Sequence, residues 1–238
     1  MYAITLGGMA GGGARDIGPL VAAKLKADYV DRIFLSSVAK ELGVTVEALH
    51  QREEKLPTRV EKWIQVVQRL LERSAVTGSA GDPYFGPGIT GLLTAEYEDM
   101  PAPIMTHGHE VQDEVYIEAI EATMKEMADD GDVVFVGRGG HVILKDMPNV
   151  LRIGVVASLE QRIHTLMNRE SIGREDAIAT LKQRDAARSH YFKKFFELDE
   201  PDAPELFHFT VNTSEMSIDH AVEMVVDNLN SLTEGRLS

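Results

Sequence analysis

Ile4-Thr5-Leu6-Gly7-Gly8-Met9-Ala10-Gly11-Gly12-Gly13-Ala14-Arg15-Asp16-Ile17-Gly18 is the stretch on which the reading of the whole chain turns. A short apolar run ends in a glycine cluster, and an amphipathic segment with Ile17, Leu20, Val21 and Leu25 follows. Strand, glycine loop and helix in that order make an anion site. Glycines let successive backbone N–H groups turn inward, and the helix N-terminus adds the positive end of its dipole. Gly8 and Gly13 have the spacing of a phosphate loop, after which a lysine and a serine or threonine are expected. Ala14 and Arg15 stand there instead. The loop geometry is therefore expected without its usual lysine or its magnesium-binding hydroxyl.

Beyond the loop the chain alternates between the two periodicities. Residues 2–7 read as a buried strand, 15–27 as a helix and Tyr29-Val30-Asp31 as a short strand. Helices are expected at 32–42, at about 45–54 and from Pro57 to Leu71, where Trp63 reads as core. From Gly78 to about His107 the texture is turn-rich, with Tyr84 and Phe85 among glycines and prolines. A helix at 110–128 precedes Asp132-Val-Val-Phe-Val-Gly137, a continuous apolar run suited to a sheet covered on both faces. A short helix at 140–146 and a strand at 150–156 follow. Ser158 then caps a helical hairpin at 159–170 and 174–196, and a strand at 207–211 leads to a closing helix from Ser217. This alternation predicts an α/β fold with a parallel sheet. Ligands in such folds sit at the carboxyl ends of the strands. That rule gathers the glycine loop, Asp31-Arg32, Gly137-Arg138 and the loop after Val156 along one edge.

Composition narrows the ligand. The 238 residues include 24 basic and 38 acidic side chains, a formal net charge of −14, and no cysteine. This acidity argues against nucleic acid or anionic membrane as a partner, since neutralised phosphates drive such binding. A small phosphorylated ligand needs only a few local arginines. The lack of cysteine excludes disulfides and thiolate metal sites, and with no apolar run of membrane-spanning length the expected location is cytoplasmic. His107, His109, Glu110 and Asp113 are metal-ligand types, but their place at a loop-to-helix junction suits caps and surface groups better.

Phosphoryl transfer needs positive charge on the transferred group, positioning, and usually a magnesium ion. Candidate cations are Arg15, Arg138, and Arg162, Arg169, Arg184 and Arg188 on the hairpin. Arg184 and Arg188, four apart, share a helix face, with Asp185 angularly offset beside them.

Taken in order, several motifs resemble the cytidylate kinase-like family of the P-loop nucleoside monophosphate kinases. They are the glycine loop with Arg15-Asp16-Ile17-Gly18, Tyr29-Val-Asp31-Arg32, Val136-Gly137-Arg138-Gly139, and Asn149-Val-Leu-Arg-Ile with Ala157-Ser158-Leu-Glu160-Gln-Arg162. Arg184-Asp185-Ala-Ala-Arg188 and Asn212-Thr-Ser with Ser217-Ile complete the set. The resemblance implies a three-layer P-loop NTPase-type fold with a five-stranded parallel sheet, a monophosphate-binding insert at about 32–107 and a lid at about 159–204. The core would comprise 1–31, 108–158 and 205–238. It implies that Gly8, Gly11, Gly12, Gly13, Ala14, Arg15 and Asp16 hold the donor phosphates of ATP, and that Asp31, Arg32 and Arg138 face the acceptor nucleotide. Arg184, Asp185 and Arg188 would touch both phosphate groups, and the γ-phosphoryl would pass to CMP or dCMP. Arg15, Arg138, Arg184 and Arg188 would then act in catalysis, with Mg²⁺ held through water by Asp16 or Asp31.

Two departures stand out. Typical cytidylate kinases have Lys-Ser/Thr at Ala14-Arg15 and an aspartate at Gly139. The first departure is common in this branch of the family. Arg15 could replace the charge, although its planar fork reaches phosphate differently from an ammonium. Three readings stay open at this point: a pyrimidine monophosphate kinase, a non-catalytic nucleotide-binding module, and a kinase for another small phosphate acceptor. A homo-oligomer is compatible with each.

Overall fold

The computed structural model describes residues 1–31 and 107–237. The chain divides into one compact unit of Met1–Asp31 with Ala128–Ser238 and a second of Arg32–Met127. The helices expected at 32–42, 45–54 and 57–71, the turn-rich run, Arg32, Trp63, Tyr84 and Phe85 lie outside the described residues.

Five strands build the first unit: β1 (Ala3–Gly8), β2 (Asp28–Val30), β3 (Val133–Val136), β4 (Val150–Val156) and β5 (Phe209–Asn212). They run parallel in the order β2-β3-β1-β4-β5. Between them come α1 (Ala14–Leu25), α2 (His107–Asp130), α3 (Gly140–Ile143), α4 (Leu159–Glu170), α5 (Arg174–Phe196) and α6 (Ile218–Thr233). β1 lies between β3 and β4, with Ala3 opposite both Val133 and Val150. It is thus covered on both edges and both faces, which its unbroken apolar run requires.

Alternation along the strands separates two cores. Ile4, Leu6, Val134, Leu151 and Ile153 pack with Ile17 and Val21 of α1 and with Val222, Val225 and Leu229 of α6. On the other face Gly7 pairs with Gly154, and the ring of Phe207 covers both. A Cβ on Gly7 would come within 3.0 Å of that ring, so two facing glycines make its seat. This explains why the last strand begins at Phe209 instead of Phe207. Phe207 follows a 3₁₀ turn at Pro204–Leu206 and turns its ring onto the sheet. The helix expected at 140–146 likewise ends at Ile143.

α4 and α5 share a small core of Ile163, Leu166, Ala177 and Leu181. At the far end of α5 the rings of Tyr191, Phe192, Phe195 and Phe196 stack on one another, and Phe192 reaches His141. Ser158 and Ser217 cap α4 and α6 as expected, their hydroxyls accepting from the backbone N–H of Gln161 and His220. Among the described residues no helix is long and apolar enough to cross a membrane.

His141 stacks on Phe207 at 4.8 Å and donates from Nε2 to the Pro201 carbonyl at 3.1 Å. Burial, and then the charge of Arg188, lower its pKa from 6.5 to about 4. The unfolded chain therefore takes up this proton at a higher pH than the folded one. Stability is complete above about pH 6.5 and falls as the pH drops toward 4. The expected loss is on the order of 3 kcal/mol. Urea unfolding across this range should show a steeper decline in the wild type than in His141→Gln, which keeps a donor for Pro201. Parallel slopes would exclude this histidine as the source.

Candidate functional site

The loop from Gly8 to Gly13 leaves the carboxyl end of β1 and enters α1. Gly8, Gly11 and Gly13 have φ of 150°, 74° and 101°, values that side-chain-bearing residues rarely adopt. Space forbids side chains as well. A Cβ on Gly8 would lie 2.0 Å from the Val155 carbonyl oxygen, and one on Gly11 would lie 2.9 Å from that of Arg162. The loop is pressed directly against β4 and α4. Gly13 is the N-cap of α1, with no side chain capping it. Gly12 N–H bonds to the Met9 carbonyl, whereas no backbone carbonyl among the described residues accepts from the N–H of Gly11, Gly13 or Ala14. Those N–H groups, at the N-terminus of a twelve-residue helix, are what an anion would meet.

Arg162 is buried behind the loop. Its Nε donates to the Ala10 carbonyl at 2.8 Å, its Nη1 meets Met9 Sδ at 3.2 Å, and its Nη2 grips both oxygens of Asp185 at 2.6 and 2.8 Å. From the far side, Thr213 Oγ1 donates to the Gly12 carbonyl at 2.9 Å. From the sequence Arg162 is a candidate phosphate-contacting cation, and the family resemblance implies a substrate contact for Asp185. In the structure the two are joined by a buried bidentate pair that ties the glycine loop to α5.

The other expected residues fall into groups. Arg15, Asp16, Tyr29, Asp31 and Arg169 form one. Arg169 Nη2 holds both oxygens of Asp16 at 2.9 and 3.0 Å, and Tyr29 donates to Asp31 at 3.1 Å. Burial and the Asp31 charge push the Tyr29 phenol well up, opposed by the charges of Arg15 and Arg169. Arg188 forms a bidentate pair with Asp202 at 2.8 and 2.9 Å and lies against the Phe192 ring, 4.7 Å from its centroid. Arg184 pairs bidentately with Glu170. The two hairpin arginines therefore reach different carboxylates. Beside Arg188 a cavity of about 370 Å³ opens, with Met9, Asp185, Ser189, Pro201 and Asp202 in its lining.

Arg138 sits in a turn after β3 in which Gly137, Arg138 and Gly139 have φ of 79°, 56° and 75°. Its side chain is buried, and its carbonyl accepts from the Tyr191 hydroxyl at 3.5 Å. A left-handed conformation at a non-glycine residue costs ~1 kcal/mol and marks a position held by its surroundings. Gly139, where typical relatives carry aspartate, is the N-cap of α3, and a Cβ there would lie 2.9 Å from the Phe196 ring. A side chain at this position would have to move the Phe196 ring and adopt a left-handed backbone.

Glu170, Asp202 and Thr213 were not assigned roles from the sequence. Thr213 lies in the Asn212-Thr-Ser match and so had a signal; the two carboxylates had none. His107, His109, Glu110 and Asp113 fall in the first two turns of α2, and their side chains lie outside the described residues. No group of three metal-ligating residues occurs among the described ones.

A parallel sheet in the order 2-3-1-4-5, with a glycine loop joining β1 to α1, defines a P-loop kinase-type fold. The chain belongs to the cytidylate kinase-like family, whose model matches residues 3–215. No curated protein matches it. Among solved structures, an uncharacterized protein from Eubacterium ventriosum is similar, with a TM-score of 0.62 at 14% identity over 97% of this chain and 99% of that one. A gluconokinase from Sinorhizobium meliloti gives 0.48 at 12% identity over 98% and 94%. A shikimate kinase from Acinetobacter baumannii, in complex with shikimate, gives 0.44 at 12% identity over 97% and 94%. At these identities the likeness is one of fold.

The loop geometry makes a direct test of packing possible. Gly8→Ala should lose about 3 kcal/mol through backbone overlap and strain. Gly131→Ala, where a Cβ would meet nothing within 4 Å, should be close to neutral. Urea unfolding of both variants distinguishes a loop pressed on β4 from one with room to move.

Proposed function

We propose that this protein is a nucleotide-binding phosphotransferase that moves the γ-phosphoryl group of ATP to a nucleoside monophosphate, a pyrimidine nucleotide by its family. The observation that carries the reading is the glycine loop, whose Gly11, Gly13 and Ala14 N–H groups stand at the N-terminus of α1. Such N–H groups make charge-assisted bonds to phosphate oxygens, each ~1.5–3 kcal/mol. The donor phosphates therefore fit the loop without its lysine. Arg15 in the first turn of α1 and Arg138 after β3 supply positive charge along the same sheet edge, where ligands of parallel α/β sheets gather.

Magnesium, when bound, neutralises charge on the β- and γ-phosphates. The loop offers it no hydroxyl; Asp16, which Arg169 engages, and Asp31, which accepts from Tyr29, are the carboxylates that would hold it through water. Asp31 and Arg138 would orient the acceptor. Arg184 and Arg188 would exchange Glu170 and Asp202 for phosphate oxygens as the ligand enters. A second reading, nucleotide binding without transfer, is favoured by these ion pairs together with the absent lysine and hydroxyl.

ADP release measured across all nucleoside monophosphates, beside calorimetric titration of ATP with and without Mg²⁺, separates the two. Turnover with a pyrimidine monophosphate and a magnesium-dependent gain in affinity are expected. Binding without turnover would replace the kinase reading with the module. Arg15→Ala should weaken ATP binding about tenfold. Arg174→Ala, at an exposed pair with Glu160, should leave it unchanged. Equal losses would exclude the proposed loop contact.

A further inference from the structure

We infer that Arg162 and Thr213 are positioning residues that aim two glycine-loop N–H groups at bound phosphate. The inference rests on reading the loop as a phosphate site. In a trans peptide the C=O of one residue and the N–H of the next point in opposite directions. Arg162 Nε holds the Ala10 carbonyl at 2.8 Å, and this turns the N–H of Gly11 away from the guanidinium. Thr213 Oγ1 holds the Gly12 carbonyl at 2.9 Å, and this turns the N–H of Gly13 away from the threonine. The Val156 carbonyl also lies near this hydroxyl, at 3.3 Å, the longer of the two contacts. No backbone carbonyl among the described residues accepts from the N–H of Gly11 or Gly13, nor from that of Met9 or Ala10, whereas Gly12 bonds back to Met9. The Ala10–Gly11 and Gly12–Gly13 peptides, on either side of the Gly11–Gly12 peptide, are thus each fixed by one side chain that withdraws the carbonyl and presents the amide.

Arg162 is suited to this by its surroundings. Its side chain is 6% exposed, Nη1 meets Met9 Sδ, and Nη2 donates to both oxygens of Asp185. Its charge is balanced inside the protein, so it braces the loop from behind instead of binding the ligand. Because Asp185 belongs to α5, the same pair links the loop's N–H geometry to the helical hairpin. Lysine could keep the charge but has no fork to serve Ala10 and Asp185 together. Glycines at φ of 74° and 101° have wide conformational freedom, and these two braces restrict it before any ligand arrives.

The test uses the full chain with ATP and inorganic pyrophosphate as probes, by calorimetry. Thr213→Val, which keeps shape and loses the donor, should weaken both ligands about fivefold to tenfold. Thr213→Ser, which keeps the hydroxyl, should bind as the wild type. Arg162→Lys should weaken both ligands by at least as much as Thr213→Val. In NMR titrations the Gly13 amide should shift with pyrophosphate in the wild type and Thr213→Ser, and much less in Thr213→Val. If the wild type binds both probes while Thr213→Val and Arg162→Lys match it, the positioning role is overturned and the phosphate loop stands. Equal weakening in Thr213→Val and Thr213→Ser would also overturn it, because loss of the hydroxyl is not common to them. A wild type that binds neither probe overturns the loop reading itself.

Discussion

The carbonyl of Val155 occupies the space where a Cβ on Gly8 would be. This approach of β1 to β4, closer than a side chain permits, sets the rest of the site. It lets the chain turn out of the sheet at its last paired residue and enter α1 within five residues, Met9–Gly13. A wider turn would carry the N-terminus of α1 away from the strand ends and part its dipole from the other groups at that edge. The apolar faces of α1 and α6, packed on β1 and β4, then hold the helix in place, so the position of the N–H groups is inherited from the core.

Electrostatics adds a second layer. In a chain of net charge −14, four of the candidate arginines, Arg162, Arg169, Arg184 and Arg188, are held by the protein's own carboxylates. Arg162–Asp185 and Arg188–Asp202 are the most enclosed, with the guanidinium side chains 6% and 8% exposed. Removing Asp185 or Asp202 would leave an enclosed guanidinium without its counter-charge, which is destabilising. Phosphate can compete for Arg188 only by taking over both bonds from Asp202, which a bidentate oxygen pair can do. Arg162 differs, because displacing Asp185 would also pull on the carbonyl that shapes the loop. Similar arginines on one hairpin therefore have different duties, decided by what else each one holds.

Most of the architecture was legible because it follows from local periodicity. β1, β3 and β4 are unbroken apolar runs, and α1, α4 and α6 are amphipathic, two of them with serine caps visible in the sequence. β5 was misjudged at its start because Phe207 has strand propensity but is claimed by the Gly7–Gly154 seat on the other side of the sheet. The glycine loop was legible as a site from its composition. The fates of its neighbours were not, since Arg162 and Asp185 are 23 residues apart, and Arg169 and Asp16 are 153 apart. Only the folded sheet brings them together. The approach of Gly139 to the Phe196 ring was equally hidden, since that ring lies at the end of a distant helix.

What the missing lysine and hydroxyl change can now be separated into two requirements. Holding a polyphosphate depends chiefly on backbone N–H groups and the helix terminus, and both are present with their carbonyls drawn aside. Transfer asks for more, because charge spreads over the departing phosphoryl oxygens and must be met by fixed cations. A lysine in the loop supplies one such charge without any rearrangement. In the proposed transfer, Arg15 and Arg138 would contribute this charge, and Arg184 and Arg188 would join them by exchanging Glu170 and Asp202 for phosphate oxygens. Under that reading, recruitment of Arg184 and Arg188 would be coupled to ligand entry, since each holds a carboxylate that a phosphate would have to displace.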